Sequence, residues 1–127
     1  MNHKLRNVLF ILAGALVHIL SGSYFGPFEE WVRSYGSNLA VSFALFFLLQ
    51  FLRLPGIGNP LACAGYALAI LFVEEFAQRS SQYAGVFDPW DFLYDAIGVF
   101  AAVGLNKIAP ASRHEKKDAT LANSGSQ

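Results

Sequence analysis

The sequence has few charged residues, with nine Lys or Arg and nine Asp or Glu among 127 residues, or 14% of the chain. Soluble proteins contain about 25% charged residues, and 54% of this chain is hydrophobic. A single domain of this length buries too little surface to hide so many apolar side chains from water. We therefore expect lipid to surround most of it. The formal net charge is zero, which removes any general electrostatic case for nucleic-acid binding.

Cysteine is also scarce, since Cys63 is the only one. One cysteine excludes an intramolecular disulfide and any site built from several cysteine ligands. We interpret Cys63 as a small apolar side chain inside a helix. The three histidines form no cluster, and no serine has a convincing base nearby in the sequence. We therefore predict no catalytic residues, no metal site and no cofactor.

Four apolar runs are separated by segments rich in glycine, proline or polar residues. Because an open strand edge cannot be satisfied in lipid, such runs predict helices. We predict an all-α, four-helix transmembrane bundle over residues 1–109 and a disordered cytoplasmic tail at 110–127. The predicted helices lie at about residues 7–25, 38–54, 61–80 and 89–107, with a short interfacial segment between the first two.

The first apolar run follows a short basic segment that ends at Arg6. Cleaved signal peptides and retained first transmembrane helices share this arrangement. We favour a retained helix because the rest of the chain is equally membrane-like. His18 lies inside this run, and we interpret it as hydrogen-bonded to a neighbouring helix in preference to a proton relay.

Lysine and arginine are unevenly distributed around the predicted helices. If both termini are cytoplasmic, Arg33 and Arg79 lie outside. The seven that then lie on the cytoplasmic side are Lys4, Arg6, Arg53, Lys107, Arg113, Lys116 and Lys117. The positive-inside rule therefore predicts a multi-pass protein of the cell membrane with both termini in the cytoplasm.

Acidic and amide side chains gather where the third and fourth predicted helices face each other. Ionisable groups in apolar helices usually face a bundle interior or a water-filled cavity. We therefore predict an outward-facing pocket that binds a ligand or a cation. Its candidate residues are Glu75, Gln78, Asp88, Asp91 and Asp95.

Each acid in this group also has a structural explanation. Asp88 precedes Pro89, so it can cap the fourth helix, and Asp91 can complete the cap or serve the pocket. Glu75 and Asp95 would repel each other if both were ionised, so they would share a proton or hold a cation. Alternatively, Arg79 could neutralise one of them in an internal ion pair.

Small residues four apart allow two membrane helices to approach closely. Gly98 and Ala102 form such a pair on the fourth helix, and Gly65 and Ala69 form another on the third. We predict that the third and fourth helices pack on these two faces.

The sequence Glu75-x-x-Gln78, followed by Asp88-x-x-Asp91, a polar residue at 95 and Gly98, resembles the VanZ-like family of small bacterial membrane proteins. The resemblance is greatest to short, uncharacterised relatives and covers residues 35–107. It implies a polytopic protein of the cell envelope. Asp95 departs from the family pattern, which usually has asparagine there, so the role of this position does not carry over.

Three functions fit these residues. The first is a binding or structural membrane protein, possible partners being the bilayer, a lipid headgroup or a cell-wall precursor. The second is a small proton- or cation-coupled transporter working as a homo-oligomer, because four short helices enclose little space. The third is a hydrolase that uses paired acids with a metal. We rank the binding protein first, and we predict that the chain is not an enzyme.

Overall fold

The computed structural model describes residues 1–80, 88–110 and 123–125. Four long helices make up most of this part, and no strand occurs in it. They are α1 (His3–Gly22), α2 (Glu29–Leu52), α3 (Pro60–Ser80) and α4 (Pro89–Ile108). The predicted all-helical class and the number of helices are confirmed. The predicted tail lies mostly outside the described residues.

Three of the four helices open with a side-chain cap that the sequence encodes. Asn2 accepts a hydrogen bond from the Lys4 backbone N–H, and Asp88 accepts one from Trp90. The Asn59 side chain accepts from the backbone N–H groups of the second and third residues of α3. Proline follows Asn59 and Asp88 directly, at the first helical position, where its missing N–H costs nothing.

The second helix begins nine residues earlier than predicted. The sequence before residue 38 contains glycine and serine and was expected to form a separate interfacial segment. Instead, a short α-helical turn and a π-helical turn at Val32–Gly36 continue directly into the apolar part of α2. Trp31 and Tyr35 in these turns pack against Tyr94 of α4. These tertiary contacts outweigh the weak helix propensity of the segment.

The helices alternate in direction, so the bundle has two distinct ends. The terminal end holds the start of α1, the end of α4 and the loop between α2 and α3. There, the Arg6 side chain donates to the Ala109 carbonyl over 2.7 Å. The loop end holds the end of α3 and the start of α4, where the Tyr35 hydroxyl donates to Asp88 over 2.8 Å.

Helix α2 is central, because it packs against each of the other three helices. Gly14 of α1 faces it closely: a Cβ there would lie 2.8 Å from the Ala44 Cβ. Gly98 of α4 lies against Ser42 and the Leu39 carbonyl, and any side chain at position 98 would overlap them. The small face of α4 therefore packs on α2.

The predicted partner of this face was wrong. A Cβ at Gly65 would meet nothing within 4 Å, and Ala69 is exposed. The third helix instead buries Ala64, Ala67 and Leu71. A pair of small residues identifies a face that permits close approach, but it does not identify the helix that approaches.

The bundle is apolar outside and partly polar inside. In the most apolar 18-residue segments of α1, α2 and α3, only 22%, 28% and 22% are buried. Exposed apolar side chains include Leu16, Phe72, Phe76, Ile97 and Phe100. The buried polar or charged residues are Arg6, Asn7, Ser21, Ser42 and Asp95. An outer surface of exposed apolar side chains is unfavourable in water and favourable in lipid.

Three helices, α1, α2 and α3, are long and apolar enough to cross a membrane. These lengths and this composition are those of a membrane protein. Helix α4 is not among them, and Asp91 and Asp95 lower the mean hydropathy of its first half. Its middle is nonetheless buried, with Val99 and Ala102 in the apolar core beside Phe46 and Phe47.

Candidate functional site

Asp88 begins the acidic region at the loop end. Its Oδ1 accepts a hydrogen bond from the Trp90 backbone N–H at 3.0 Å, and its Oδ2 accepts from the Tyr35 hydroxyl at 2.8 Å. Pro89 occupies the first helical position. The interpretation of Asp88 as a helix cap is confirmed, and Tyr35 adds a partner from α2. Both carboxylate oxygens of Asp88 are therefore engaged in structure.

Three aromatic rings join α2 to α4 beside this cap. Tyr35 stacks on Tyr94 with 4.4 Å between the ring centroids. The Trp31 Nε1–H donates to the Tyr94 hydroxyl at 3.2 Å. Tyrosine and tryptophan favour the membrane–water boundary because each has an apolar ring and a polar group. This aromatic cluster fixes the start of α2 and brings Asn38 close to α4.

Asp91 and Asp95 continue inward from Asp88 along α4. Asp91 is half-buried and interacts with the Asn38 side chain of α2 through a hydrogen bond. Asp95, one turn further in, is only 4% exposed. The charges that act on its carboxylate come from other acids, Glu75, Asp91 and Glu74. Burial among like charges is costly for a carboxylate.

Glu75 of α3 completes the cluster. It is half-buried, and its Oε2 is buried without a hydrogen-bond partner among the described residues. Asp95 is close enough to Glu75 and Asp91 for their charges to interact. The structure therefore brings Glu75, Asp91 and Asp95 together, as well as Asn38. We call these four residues the acid site.

The remaining predicted site residue, Gln78, is exposed on the last turns of α3, as is Glu74. Arg79, the residue expected in the alternative ion pair, is also exposed. Arg33 forms an ion pair with Glu29 at 2.8 Å, at the beginning of α2 and away from the acid site.

The electrostatics of the acid site favour the uptake of positive charge. Several carboxylates at short range repel one another when ionised, and the repulsion is stronger away from bulk water. A shared proton or a bound cation would relieve it. Across residues 1–80, 88–110 and 123–125, no three His, Cys, Asp or Glu side chains converge in a way that could hold a metal ion. The arrangement therefore suits a proton or a cation held by two carboxylates.

Residues of α2 near the acid site were not predicted. Asn38 and Ser42 are four apart in an otherwise apolar run, so they lie on one face of the helix. That spacing is the signal that could have identified them. Ser42 is fully buried, and its hydroxyl donates to the Leu39 carbonyl at 3.0 Å, beneath Gly98.

A second polar group, at the terminal end, was also not predicted. Arg6 is 1% exposed. Its guanidinium donates to the Asn7 Oδ1 at 2.9 Å, to the Asn106 Oδ1 at 2.8 Å and to the Ala109 carbonyl at 2.7 Å. We call these four residues the Arg6 network. Lone polar residues 100 positions apart give no sequence signal of such a contact.

His18 and Cys63 have the roles that the sequence predicted. The Ser37 hydroxyl of α2 lies 2.7 Å from the His18 Nδ1, which joins α1 to its neighbour. Cys63 is buried in the apolar core as a free thiol. Neither residue belongs to the acid site.

Comparisons of this chain with protein-family models, with curated proteins and with solved structures give no match. Its candidate function therefore follows from the chemistry of its own residues.

Proposed function

We propose that this chain is a multi-pass membrane protein that binds a cation between Glu75 and Asp95. One observation carries the proposal: the Glu75 Oε2 is buried without a hydrogen-bond partner among the described residues. Asp95, which is 4% exposed, is close enough to Glu75 for their charges to interact. Buried charges are normally paired or neutralised. A cation shared by the two carboxylates would give Glu75 its missing partner and offset the repulsion between the two side chains.

The membrane arrangement that we propose has four passes with both termini in the cytoplasm. Helix α4 crosses with the others because its two acids are turned toward the bundle and its lipid-facing side chains, such as Ile97 and Phe100, are apolar. The separation of charge along the bundle supports this orientation. The seven acids among the described residues lie toward the loop end, whereas Lys4, Arg53 and Lys107 lie at the terminal end.

A cation would reach the acid site from the loop end, where Glu74 and Gln78 are exposed. On the other side of the site, the apolar core closes the bundle with Phe46, Phe47 and Val99, all fully buried. A transporter would need a second opening through this core. Because the described residues give the site a polar approach from the loop end and an apolar core on the other side, we favour a binding protein over a transporter.

The resemblance to the VanZ-like family is compatible with this proposal, and we propose that the chain belongs to that family. An envelope protein with an outward-facing acidic site could take the primary ammonium group of a lipid headgroup or of a cell-wall precursor. The ammonium group of such a molecule presents the same charge to Glu75 and Asp95 as a free cation does.

The proposal can be tested with the purified chain in detergent by following thermal unfolding while sodium, potassium or ammonium chloride is added. A cation that binds the folded state raises Tm with its concentration. We expect this rise for at least one of the three salts in the wild type and its loss in Asp95→Asn. Choline chloride at equal ionic strength controls for screening.

The matched control is Glu74→Gln, which removes one carboxylate from an exposed position next to Glu75. This variant should keep the cation response. If Asp95→Asn responds like the wild type, or if no salt acts beyond the choline control, the proposed function is wrong.

The proposed orientation needs a separate test, because cation binding in detergent does not depend on it. A reporter that is active only outside the cytoplasm should be silent when it is fused after Gln127. The same reporter should be active when it is inserted between residues 82 and 85. The opposite pattern would reverse the side from which the acid site is reached.

A further inference from the structure

The terminal end contains a cavity of about 370 Å³ whose polar lining is basic. This volume lies within the range of about 300–1,000 Å³ that is typical of ligand pockets. We call this cavity the basic pocket. Its polar lining residues are His3, Lys4, Asn7, Gln50, Arg53 and Asn106. No carboxylate of the described residues lines it.

The Arg6 network determines which polar atoms of the two asparagines remain for a ligand. The Oδ1 atoms of Asn7 and Asn106 both accept hydrogen bonds from Arg6. Their remaining polar groups are the side-chain NH₂ groups, which are donors. The hydrogen bonds to Arg6 leave both NH₂ groups unused. Asn7 is 3% exposed and lines the basic pocket, so we expect its NH₂ group to be reached from there.

Arg53 contributes a cation from an unusual backbone conformation. It ends α2 with φ at 47°, in the left-handed region that glycine normally occupies at this position. A non-glycine residue there is disfavoured by about 1–2 kcal/mol. The side chain is therefore retained against a local preference, and it lines the basic pocket together with Lys4.

We infer that the basic pocket is an anion site that holds a phosphate group. Two cations, Lys4 and Arg53, would neutralise the phosphate, and the NH₂ groups of Asn7 and Asn106 would donate to its oxygens. The buried Arg6 behind the asparagines adds positive charge and holds both amides in the donor orientation. The phosphate could belong to an anionic phospholipid or be free in solution.

The position of the basic pocket favours a lipid as the source. In the proposed orientation the terminal end lies at the cytoplasmic leaflet, where anionic lipids attract basic segments. The pocket also has an apolar wall that includes Phe51, Ile57 and Pro60. That wall could contact the first carbons of a lipid chain. The anion chemistry itself does not depend on the orientation or on the acid site.

The inference can be tested with the full chain in a neutral detergent, using thermal unfolding as the readout. One arm adds phosphatidylglycerol to the micelles and is compared with an equal amount of phosphatidylcholine. The second arm adds inorganic phosphate and is compared with chloride at equal ionic strength. A rise in Tm with phosphatidylglycerol alone identifies a lipid phosphate, and a rise with inorganic phosphate identifies a free one.

The diagnostic variants remove the two cations of the pocket. Arg53→Gly suits the left-handed φ, so it should fold at least as well as the wild type without an anion. Each cation near a lipid phosphate contributes about a fivefold factor in affinity, so Arg53→Gly with Lys4→Gln should weaken binding about 25-fold. Lys107→Gln is the matched control for Lys4→Gln alone, because each removes one charge at the same end and position 107 lies outside the pocket lining.

The inference is overturned by either of two outcomes. In the first, neither phosphatidylglycerol nor inorganic phosphate raises the Tm of the wild type above its control. In the second, Lys107→Gln weakens the response as much as Lys4→Gln does, which would indicate general attraction between a basic surface and an anionic micelle. If Lys107→Gln keeps the rise in Tm with the anion and the double variant loses it, the result supports the basic pocket as the anion site.

Discussion

The two ends of this bundle each bury a charged side chain, and the surroundings of the two charges differ. At the terminal end, Arg6 is 1% exposed and donates hydrogen bonds to Asn7, Asn106 and the Ala109 carbonyl. At the loop end, Asp95 is 4% exposed, and the charges that act on it come from the acids Glu75, Asp91 and Glu74. The first charge has hydrogen-bond partners, whereas the second lies among like charges.

This difference separates a structural charge from a functional one. Buried polar groups whose partners are complete stabilise a unique packing. A buried polar group without partners lowers stability, and such a group persists where function requires it. The acid site is therefore the place where a cation has most to contribute. Beside it, the aromatic cluster of Trp31, Tyr35 and Tyr94 joins α2 to α4.

The largest effect is expected from Gly98→Leu, because both ends depend on the contact between α2 and α4. Any side chain at position 98 would overlap the Ser42 hydroxyl and the Leu39 carbonyl, which is backbone and cannot give way. Overpacking usually costs roughly 1–3 kcal/mol, and we expect a larger cost here because the helices must separate to admit any side chain. We expect the variant to lose most of its folded yield in detergent, measured by size-exclusion chromatography.

Gly65→Leu is the matched control, since a side chain there meets no atom within 4 Å. It should leave the yield within about 20% of the wild type, because exposed substitutions are usually near neutral. A severe loss in this control alone would restore the predicted packing of α3 on α4.

These two glycines show what the sequence could and could not predict about the fold. The four helices follow from long apolar runs broken by residues such as Pro55 and Pro60, and those signals are local. Gly98 was recognised as a packing residue because small residues recur along its face. Its partner was misassigned because two helices offered similar small faces, and only three-dimensional packing distinguishes Ser42 from Gly65.

The next largest effect is expected from Arg6→Met, which keeps much of the side-chain length and removes the charge. The acceptor oxygens of Asn7 and Asn106 and the Ala109 carbonyl would lose their donor. Buried polar groups left unsatisfied cost about 1–3 kcal/mol each. In a protein of this size, a loss of about 1 kcal/mol in the free energy of unfolding lowers Tm by several degrees. We therefore expect a fall in Tm of about 10 °C or more.

Arg6→Lys tests whether the fork-shaped guanidinium matters as well as its charge. Lysine has a single point charge and cannot reach the same three acceptors together. It should recover less than half of the lost Tm. An unchanged Tm in Arg6→Met would show that the terminal end is not held together by this network.

The candidate sites were only partly predictable for a similar physical reason. Glu75 and Asp95 stand out because acids are rare in apolar helices, so the sequence indicated them directly. Arg6 was counted only as a basic residue near the terminus. Its partner Asn106 lies 100 positions away. Contacts that join distant single residues have no periodic pattern, and the basic pocket depends on such contacts.

A smaller effect is expected from Tyr35→Phe at the rim of the acid site. The variant removes the 2.8 Å hydrogen bond to Asp88 but keeps the ring that stacks on Tyr94. Asp88 retains the Trp90 backbone N–H as a partner. A single hydrogen bond contributes about 1 kcal/mol, so Tm should fall by a few degrees.

The control for this variant is Tyr66→Phe, in an exposed part of α3. It should leave Tm unchanged. If Tyr35→Phe also leaves Tm unchanged, the hydrogen bond between Tyr35 and Asp88 does not contribute to the stability of the fold.

The most direct test of the contrast between the two ends is the thermal stability of purified Asp95→Asn beside the wild type, without added cation. Asparagine keeps the shape of the side chain and removes one charge from the group that includes Glu75 and Asp91. Because the charges acting on Asp95 are those of other acids, we predict an equal or higher Tm for the variant. If Asp95 instead belongs to an ion pair, with Arg79 or another cation, the variant strands that partner. The result would be a loss of about 3 kcal/mol, and it would contradict the account of Asp95 as an uncompensated, cation-binding carboxylate.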